Sequence, residues 1–417
     1  MNHRIKHYGV KGTSFWPARS VLERQRGQSP PFFPLSTLDT QVVVVGGGPA
    51  GATCARLLAG AGIETVLIER DMFNNKPCGG GVIATAFKEF DLPEHSIKKR
   101  VNALRIVAPS GKTQEIPLTQ TDLAIVDRMA FDATLRAEAQ GKGAQLLTGQ
   151  CRNIAVGDDR VVLNVRARDT DMEIRARFVV AADGVNSRIR RLLTGALPAR
   201  LYTLHEVIKV RNLIAGTAVP AHEQQTCDFL FGSLFAPRFY SWVFPHAEGV
   251  SIGTGCIDAS RAGGYLKNCL AAYGLNSCGE QRGYYIPLWD NRLYFTNGVF
   301  FVGDAAAQVM PFTFEGIYYA MKSAEFVATA IIENKPSLYK SLWRQKFKKR
   351  FALMKTLQGI FLRSDRMAES LVSLHERPEI RQAAMRFWMH QEVGQEIGQE
   401  IGLKSPRAYI KYFKGHV

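Results

Sequence analysis

The chain reads Val-Val-Val-Val-Gly-Gly-Gly-Pro-Ala-Gly from Val42 to Gly51. Four β-branched residues in a row are typical of a strand that is buried on both faces. The short side chains of residues 52–60 indicate a helix, and the run from Glu64 to Glu69 reads as a second strand. This order predicts a strand–helix–strand unit with parallel strands and a right-handed crossover.

The glycines of this stretch have the G-x-G-x-x-G spacing of a dinucleotide-binding turn. Gly46 permits the tight turn, Gly48 lets the backbone approach a pyrophosphate, and Gly51 lets the helix pack on the strand. Free amides and the positive end of the helix dipole would hold the phosphates at the N-terminus of the helix, and we assign Pro49 and Ala50 to the same cofactor site. Because the glycines follow a strand and open a helix, we predict a bound dinucleotide here.

A carboxylate ends the second strand, about 20 residues further along, where such a residue accepts hydrogen bonds from ribose hydroxyls. Glu69 occupies that place and Arg70 follows it. An NADP site more often has a basic residue in place of the acid. We therefore assign both residues to the cofactor site, with Glu69 on the ribose.

The chain has 417 residues, of which 46% are hydrophobic and 22% are charged. This composition is typical of a globular protein of two or three domains and excludes a disordered or fibrous class. The seven cysteines form no C-x-x-C pair and no Cys/His cluster with zinc spacing. We therefore expect no metal site and a reducing, cytoplasmic compartment. We expect neither a secretory signal nor a transmembrane helix.

The formal net charge of +16 is unevenly distributed. Residues 1–40 carry +4, residues 336–417 carry +9, and residues 41–335 only +3. Between Trp343 and Phe361, apolar side chains recur every three or four residues among basic ones. Such a helix either lies on an anionic membrane surface or packs on the protein with its charged face in water. Nucleic acid is not an expected partner, because no nucleic-acid motif accompanies the charge.

Two later motifs follow buried strands. They are Asp183-Gly184 in the pattern D-G-x-x-S-x-x-R and Gly303-Asp304 in the pattern G-D-A. With the glycine turn, they resemble the FAD-dependent oxidoreductases that have the p-hydroxybenzoate hydroxylase type of fold. The resemblance implies FAD, with Gly303 and Asp304 at its ribityl chain and phosphates, and Arg128 matches that group's FAD-contacting arginine. The alternative for Asp304 is a helix N-cap.

Longer segments narrow the family. They are Lys76-Pro-Cys-Gly-Gly-Gly81, Tyr240-Ser-Trp-Val-Phe-Pro245 followed by Gly253-Thr-Gly255, and Glu315-Gly-Ile317. Together they resemble the geranylgeranyl reductase family from about residue 41 to about residue 390, and most closely its chlorophyll-type branch. Residues 81–84 and 310–314 depart from that branch, so the resemblance leaves the prenyl substrate open.

This family saturates isoprenoid double bonds with reduced FAD. For this chain, the resemblance implies a substrate among (bacterio)chlorophylls, geranylgeranyl diphosphate and related lipids, and NADPH or ferredoxin as the electron donor. It also places five residues at the flavin: Cys78, Gly79, Gly80, Gly316 and Ile317.

An isolated alkene has no electron sink, so its reduction needs a hydride and a well-placed proton donor in a dry pocket. The resemblance makes Cys78 the first candidate, as donor or as a group that shapes the flavin face. Its alternative is a small residue packed under the cofactor. Tyr240 is the second candidate donor. For Lys76 we weigh a phosphate ligand against an ordinary surface charge, and expect the latter.

A prenyl chain is long and apolar, so its site is expected to be an aromatic-lined tunnel. Phe229, Phe231 and Phe235 either extend that tunnel or belong to the sheet core. The predicted substrate contacts are Tyr240, Trp242, Phe244, Pro245, Gly253 and Gly255.

We therefore predict an α/β protein with a Rossmann-like FAD-binding domain, an inserted antiparallel-sheet substrate domain and a helical C-terminal region. Residues 1–40 are expected to form a basic leader of little order. The other predicted parts are the FAD-binding segments at about 41–105, 128–200 and 295–335, the inserted strands at about 106–127 and 200–294, and the basic helical region at 336–417.

The predicted activity is FAD-dependent saturation of prenyl double bonds, in the cytoplasm or on the inner face of the cytoplasmic or photosynthetic membrane. One alternative is an FAD-dependent hydroxylase or halogenase of the same fold, which an oxygen-dependent product would reveal. The other is a flavin-bearing, membrane-attached factor that is never reoxidised by a prenyl acceptor.

Overall fold

The computed structural model describes residues 36–118, 123–209, 225–246 and 249–389. Within these residues the strands are β1 (Ser36–Val45), β2 (Thr65–Glu69), β3 (Gly81–Ile83), β4 (Ile97–Val101), β5 (Ala103–Val107), β6 (Thr113–Pro117), β7 (Leu123–Val126), β8 (Gln145–Thr148), β9 (Gln150–Val156), β10 (Val161–Ala167), β11 (Thr170–Ala181), β12 (Arg200–Lys209), β13 (Thr226–Leu230), β14 (Ser241–His246), β15 (Gly249–Cys256), β16 (Arg282–Pro287), β17 (Phe295–Thr296) and β18 (Val299–Phe301).

The helices of the same residues are α1 (Pro49–Gly60), α2 (Ala84–Glu89), α3 (Arg128–Gly141), α4 (Arg188–Thr194), α5 (Ala262–Ala272), α6 (Ile317–Ile332), α7 (Pro336–Phe361), α8 (Asp365–Leu374) and α9 (Pro378–Met389).

The first sheet has the order β17-β18-β11-β1-β2-β8, and β10 and β9 continue it from β11. Strand β1 runs parallel to β2, with Val42 opposite Thr65, and β11 runs parallel to β18. Helix α1 packs between this sheet and α6, because its alanines are small enough for close helix contact. The predicted Rossmann-like unit is confirmed, and the carboxyl ends of β1, β2, β11 and β18 meet at one edge.

The second sheet has seven strands in the order β16-β12-β15-β14-β13-β5-β6. Its neighbours are antiparallel except β13 and β5, which run parallel. Helix α5 covers one face through Leu266, Cys269 and Leu270. A third, small sheet has the order β3-β7-β4.

Two boundaries differ from those expected, and one sheet was not predicted. Strand β1 starts at Ser36, inside the predicted 1–40 leader, because Thr40 and Gln41 bond the backbone of Glu64. Strand β5 belongs to the second sheet and not to the 41–105 segment, since it pairs with β13 and β6. The third sheet was not predicted, because β3 is only three residues long and β4 reads Ile-Lys-Lys-Arg-Val. Residues 1–35 and the Gln-Glu-Ile-Gly repeat at 391–402 lie outside the described residues.

Helix α7 packs on the protein through its apolar stripe, which is the second of the two alternatives given for it. Its apolar stripe is buried against the protein, where Phe347 and Phe351 contact Tyr319 of α6 edge-on. The stripe is therefore core, while Lys348 and Lys349 remain exposed. Arg350 is one of the basic residues between Trp343 and Phe361, yet it is buried with the stripe and only 3% exposed. Among the described residues, no helix is long and apolar enough to cross a membrane.

Candidate active site

A cleft begins at the carboxyl ends of β1, β2 and β11 and extends to an aromatic face of the second sheet. The first-sheet end is lined by loop backbone and charged side chains. The second-sheet end is lined by aromatic side chains from β13 and β14 and from the segment between them. The cleft thus joins a polar half to an apolar half.

The glycine turn shapes the polar half. Gly46 has φ +107°, and a Cβ atom there would lie 2.3 Å from the carbonyl oxygen of Ala182. A Cβ atom on Gly51 would lie 1.8 Å from the Gly46 oxygen, so both positions require glycine. A Cβ atom on Gly48 would instead meet nothing within 4 Å. Pro49 and Ala50 follow at the start of α1, which has no side-chain cap, and they line the cleft.

Glu69 is tied to the turn. Its Oε2 accepts a hydrogen bond from the amide of Gly47 at 2.6 Å. Arg136 was not predicted, yet it is buried here and donates to the carbonyls of Gly47 at 3.0 Å and Met72 at 2.6 Å. Both side chains hold the glycine turn against the end of β2. The exposed Arg70 lines the same end of the cleft.

Arg128 lies at the start of α3, buried, and donates to Asp132 through Nε at 3.2 Å and Nη2 at 2.9 Å. Burial opposes its charge, but Asp132 and then Cys78 raise the pKa of Arg128 above its usual range. The Cys78 sulfur accepts a hydrogen bond from the Gly80 amide at 3.3 Å. The sequence pattern thus brings Arg128 and Cys78 together, although 50 positions separate them.

The turn at Gly79 and Gly80 fits closely between two elements. A Cβ atom on Gly79 would lie 2.8 Å from the ring of Phe244. Gly80 has φ +77°, and its Cβ atom would lie 2.5 Å from the carbonyl oxygen of Val126. The segment can therefore pass between β7 and the aromatic wall only because Gly79 and Gly80 lack side chains.

Lys76 is not the ordinary surface charge that we expected. Its Nζ lies 2.7 Å from Oδ2 of Asp304 and 4.5 Å from the centre of the Tyr284 ring. Burial opposes the charge, but Asp304 raises the pKa of Lys76 above its usual range. Asp304 makes no helix cap and lines the cleft. Gly303 does not line the cleft, because its amide donates to Gln308 and Ser323 inside the protein.

Asp183 and Gly184 line the cleft beside the glycine turn. Oδ2 of Asp183 accepts from the amide of Ile189 at 3.1 Å, and its Oδ1 is buried with no partner among the described residues. Burial raises the pKa of Asp183. Gly316 and Ile317 line the cleft from the other side, at the start of α6.

The apolar half contains part of the predicted substrate wall. Tyr240, Trp242 and Phe244 line it with Phe229, whose ring lies 5.1 Å from that of Tyr240. Phe239, which was not predicted, stacks on Tyr240 at 4.6 Å and also lines the cleft. Among the described lining residues, the cations lie at the polar half.

Three predicted substrate contacts, Pro245, Gly253 and Gly255, do not line the cleft, and Phe231 and Phe235 follow the sheet-core alternative. Gly253 lies behind the wall, because a Cβ atom there would lie 2.2 Å from the indole of Trp242. Gly255 likewise makes room for Phe239, because a Cβ atom there would lie 2.4 Å from the Phe239 ring. Neither they nor the remaining three line the cleft, and all are buried in or beside the second sheet: Pro245, Phe231 and Phe235.

Tyr240 is tightly held. Its hydroxyl donates to the carbonyl oxygen of Thr313 at 2.5 Å. Burial, with Glu315 and Cys78 nearby, raises the pKa of Tyr240 well above its usual range. The hydroxyl therefore stays protonated, and its proton is engaged in a hydrogen bond to a backbone carbonyl oxygen.

Two titratable side chains of the cleft were not predicted. Both ring nitrogens of His205 are buried without a partner among the described residues, and burial lowers its pKa to about 4. Glu315 is half-buried on the cleft, and burial raises its pKa to about 7. His205 lies within the ordinary strand sequence of β12, so nothing in the sequence marked it as a cleft residue. Glu315 belongs to the Glu315-Gly-Ile317 motif. Its position between Phe314 and Gly316 was a signal in the sequence that could have identified it.

These residues fit FAD. The space at Gly48 leaves the amides of α1 open to a pyrophosphate, Glu69 offers a ribose acceptor, and Asp183 has a buried oxygen without a partner among the described residues. Across all the residues that the structure describes, no group of three or more His, Cys, Asp or Glu side chains is arranged to hold a metal ion.

The comparisons with known proteins agree with this site. An FAD binding domain family model matches residues 39–207. A geranylgeranyl diphosphate reductase of Rhodobacter capsulatus is 32% identical over 373 residues, covering 84% of this chain and 91% of the relative. The chain belongs to the geranylgeranyl reductase family. This reductase is thus an FAD-dependent oxidoreductase, as predicted.

Other similarities extend the comparison. A digeranylgeranylglycerophospholipid reductase of Methanothermobacter thermautotrophicus is 34% identical to the reductase, over 74% of this chain and 84% of the relative. The solved structure of a geranylgeranyl bacteriochlorophyll reductase-like protein from Thermoplasma acidophilum matches with a TM-score of 0.76, 24% identity and coverage of 92% and 100%. A flavin-dependent brominase matches with a TM-score of 0.66, 16% identity and coverage of 84% and 92%. These two structures show that the predicted fold class is correct.

Proposed function

We propose that the protein saturates carbon–carbon double bonds of a geranylgeranyl chain, carried by a (bacterio)chlorophyll, a diphosphate or a related isoprenoid lipid. One observation carries this proposal: the dinucleotide cradle opens directly onto an aromatic wall without cations among its described lining residues. An apolar chain would bind such a wall by burying its surface. The names of the curated relatives point to the same substrate class.

The cofactor site would be built from the polar half. FAD, once reduced, supplies the hydride that the alkene needs. The residues assigned to hold it are Gly46, Gly48, Pro49, Ala50, Gly51, Glu69, Arg70, Cys78, Gly79, Gly80, Arg128, Asp183, Gly184, Asp304, Gly316 and Ile317, with Arg136 and Lys76 added from the structure.

The apolar half would position the chain and exclude water. Tyr240 and Phe239 stack, and Phe229 meets both Tyr240 and Phe244 edge-on, which makes a continuous wall. Cys78 lies between this wall and Arg128, where it shapes the face on which cofactor and alkene meet. A dry wall matters because the alkene offers no electron sink of its own.

The electron donor would be NADPH or ferredoxin. We place the protein in the cytoplasm, attached to an anionic membrane surface through the basic outer face of α7. The exposed Lys348 and Lys349 support this, since basic side chains are attracted to anionic lipids.

The test is anaerobic. The purified FAD protein is reduced with dithionite and mixed with geranylgeranyl-bacteriochlorophyll or geranylgeranyl diphosphate, and the lipid is analysed by mass spectrometry. A gain of two hydrogens per reduced bond, with reoxidised flavin, is expected. Unchanged lipid with flavin that stays reduced would contradict the proposal, and a product that forms only after air is admitted would point to a hydroxylase or halogenase.

A further inference from the structure

Reduction of the alkene consumes one proton, and the cleft offers three side chains that could carry it. The Tyr240 hydroxyl donates a hydrogen bond to the Thr313 carbonyl oxygen. Cys78 is surrounded by donors, the Gly80 amide and Arg128. Both predicted candidates are therefore engaged in protein contacts.

Glu315 differs from both. It lines the cleft, and its buried Oε1 has no hydrogen-bond partner among the described residues. The next residue, Gly316, caps α6, so the carboxyl stands at the helix end that faces the cleft. A proton on an oxygen that bonds no protein group can pass to a ligand without breaking a hydrogen bond within the protein.

The loop before Glu315 fixes its place. Phe312 and Phe314 have φ of +75° and +53°, which is unusual for bulky residues. The Met310 amide donates to the Glu315 carbonyl at 3.0 Å, and the Phe314 amide donates to the Met310 carbonyl at 3.0 Å. Strain of this kind persists only where the surrounding structure holds it, which is common at functional sites.

The groups around the carboxyl explain its protonation. Tyr240 faces it from the position before β14, Tyr318 and Tyr319 from α6, and Arg350 from α7. Burial raises the pKa of Glu315 to about 7, while Arg350 acts in the opposite direction. Near neutral pH about half of the molecules would carry the proton, which is the range in which a general acid is most useful.

We propose that Glu315 is the acid that protonates the alkene, which rests on the function proposed above. One alkene carbon takes the hydride supplied by reduced FAD, and the other takes the Glu315 proton. The double bond becomes a single bond, FAD returns to its oxidised form, and the carboxylate regains a proton from water. The external electron donor restores the reduced cofactor.

The first experiment compares Glu315→Gln with Glu325→Gln, the same change in the following helix α6 at a position outside the cleft. FAD content and reduction by dithionite should be normal in both. Single-turnover reoxidation by the prenyl substrate should fall about 10²–10⁴-fold in Glu315→Gln, the range of general-acid effects, and remain unchanged in the control. A Glu315→Gln variant that retains wild-type rates would overturn the proposal.

The pH profile separates an acid from a merely structural residue. The wild-type rate should fall about tenfold per pH unit above pH 7, and this decline should be absent from Glu315→Gln. Glu315→Asp should recover part of the rate. An unchanged profile in Glu315→Gln would show that another group supplies the proton.

A second readout does not depend on turnover. Infrared difference spectra of the FAD protein should show a protonated carboxyl that titrates near pH 7 and is missing from Glu315→Gln. If the wild type fails to reduce any prenyl substrate but shows this band, the proposed function fails while the protonated carboxyl stands. If the band is absent, the acid role is overturned whatever the activity.

Discussion

At the residue scale, contacts across the chain decide what a side chain does. Glu69 could be assigned from sequence because its partners lie in one local unit, the turn at Gly47 and the end of β2. Lys76 could not, because its partner Asp304 is 228 positions away. Glu315 and His205 acquire their shifted pKa values from burial by several elements, which a local pattern does not encode.

Loss of the Glu69 carboxylate should weaken FAD binding. We expect Glu69→Ala to raise the dissociation constant about 10- to 100-fold, since a hydrogen bond to a charged group contributes about 1.5–3 kcal/mol. Titration of the apoprotein with FAD, followed by flavin fluorescence, measures this. The exposed Glu64→Gln serves as control, and equal affinities of the two variants would contradict the assignment.

At the element scale, β15 shows why a conspicuous pattern was misread. Gly253 and Gly255 looked like cleft residues, but they lie behind the wall and make room for the rings of Trp242 and Phe239. Strand and helix types were predictable from the local pattern, as β2 shows: it was expected from Glu64 to Glu69 and runs from Thr65 to Glu69. The face that each residue presents depends on pairing with distant strands, so it was not predictable.

Gly253→Ala should therefore disturb the wall. The added methyl group would lie 2.2 Å from the Trp242 indole, and overpacking of this kind costs about 1–3 kcal/mol. Urea unfolding measures the loss, and prenyl reduction should fall with FAD content maintained. Gly264→Ala in α5 is the matched control, since its Cβ atom meets nothing within 4 Å, and the idea fails if both variants are equally stable.

The outer face of α7 is where the membrane proposal is tested. Lys348→Gln with Lys349→Gln should weaken binding to anionic vesicles by about tenfold or more, since each basic residue contributes about 1 kcal/mol near such a surface. Vesicle sedimentation at two salt concentrations measures this. The control is the exposed pair Lys142→Gln with Lys267→Gln. An equal loss of vesicle binding in the control would contradict the proposal, because it would show that the net charge matters and the α7 face does not.

At the scale of the whole molecule, one buried carboxyl links stability to pH. Burial raises the pKa of Glu315 from its ordinary value of 4.5 to about 7, so the folded state holds its proton more tightly. The stability that this proton contributes is complete below about pH 4.5 and is lost as pH rises through 7, up to about 3 kcal/mol.

Wild-type protein should therefore lose stability relative to Glu315→Gln between pH 5 and pH 8. Urea midpoints of the two apoproteins at both pH values measure the difference, and Glu64→Gln should show no such trend against wild type. A constant gap between wild type and Glu315→Gln across this range would mean that the carboxyl does not titrate there.

The burial of the α7 stripe has a consequence for synthesis on the ribosome. Helix α1, among the first described elements to emerge, packs against α6, and α6 in turn needs the aromatic face of α7. Residues up to α7 must therefore be synthesised before α6 can pack fully and support α1, the helix that follows the glycine turn. A chain that stalls before residue 336 would leave Tyr319 and Phe326 of α6 in water, which makes it a natural client of chaperones.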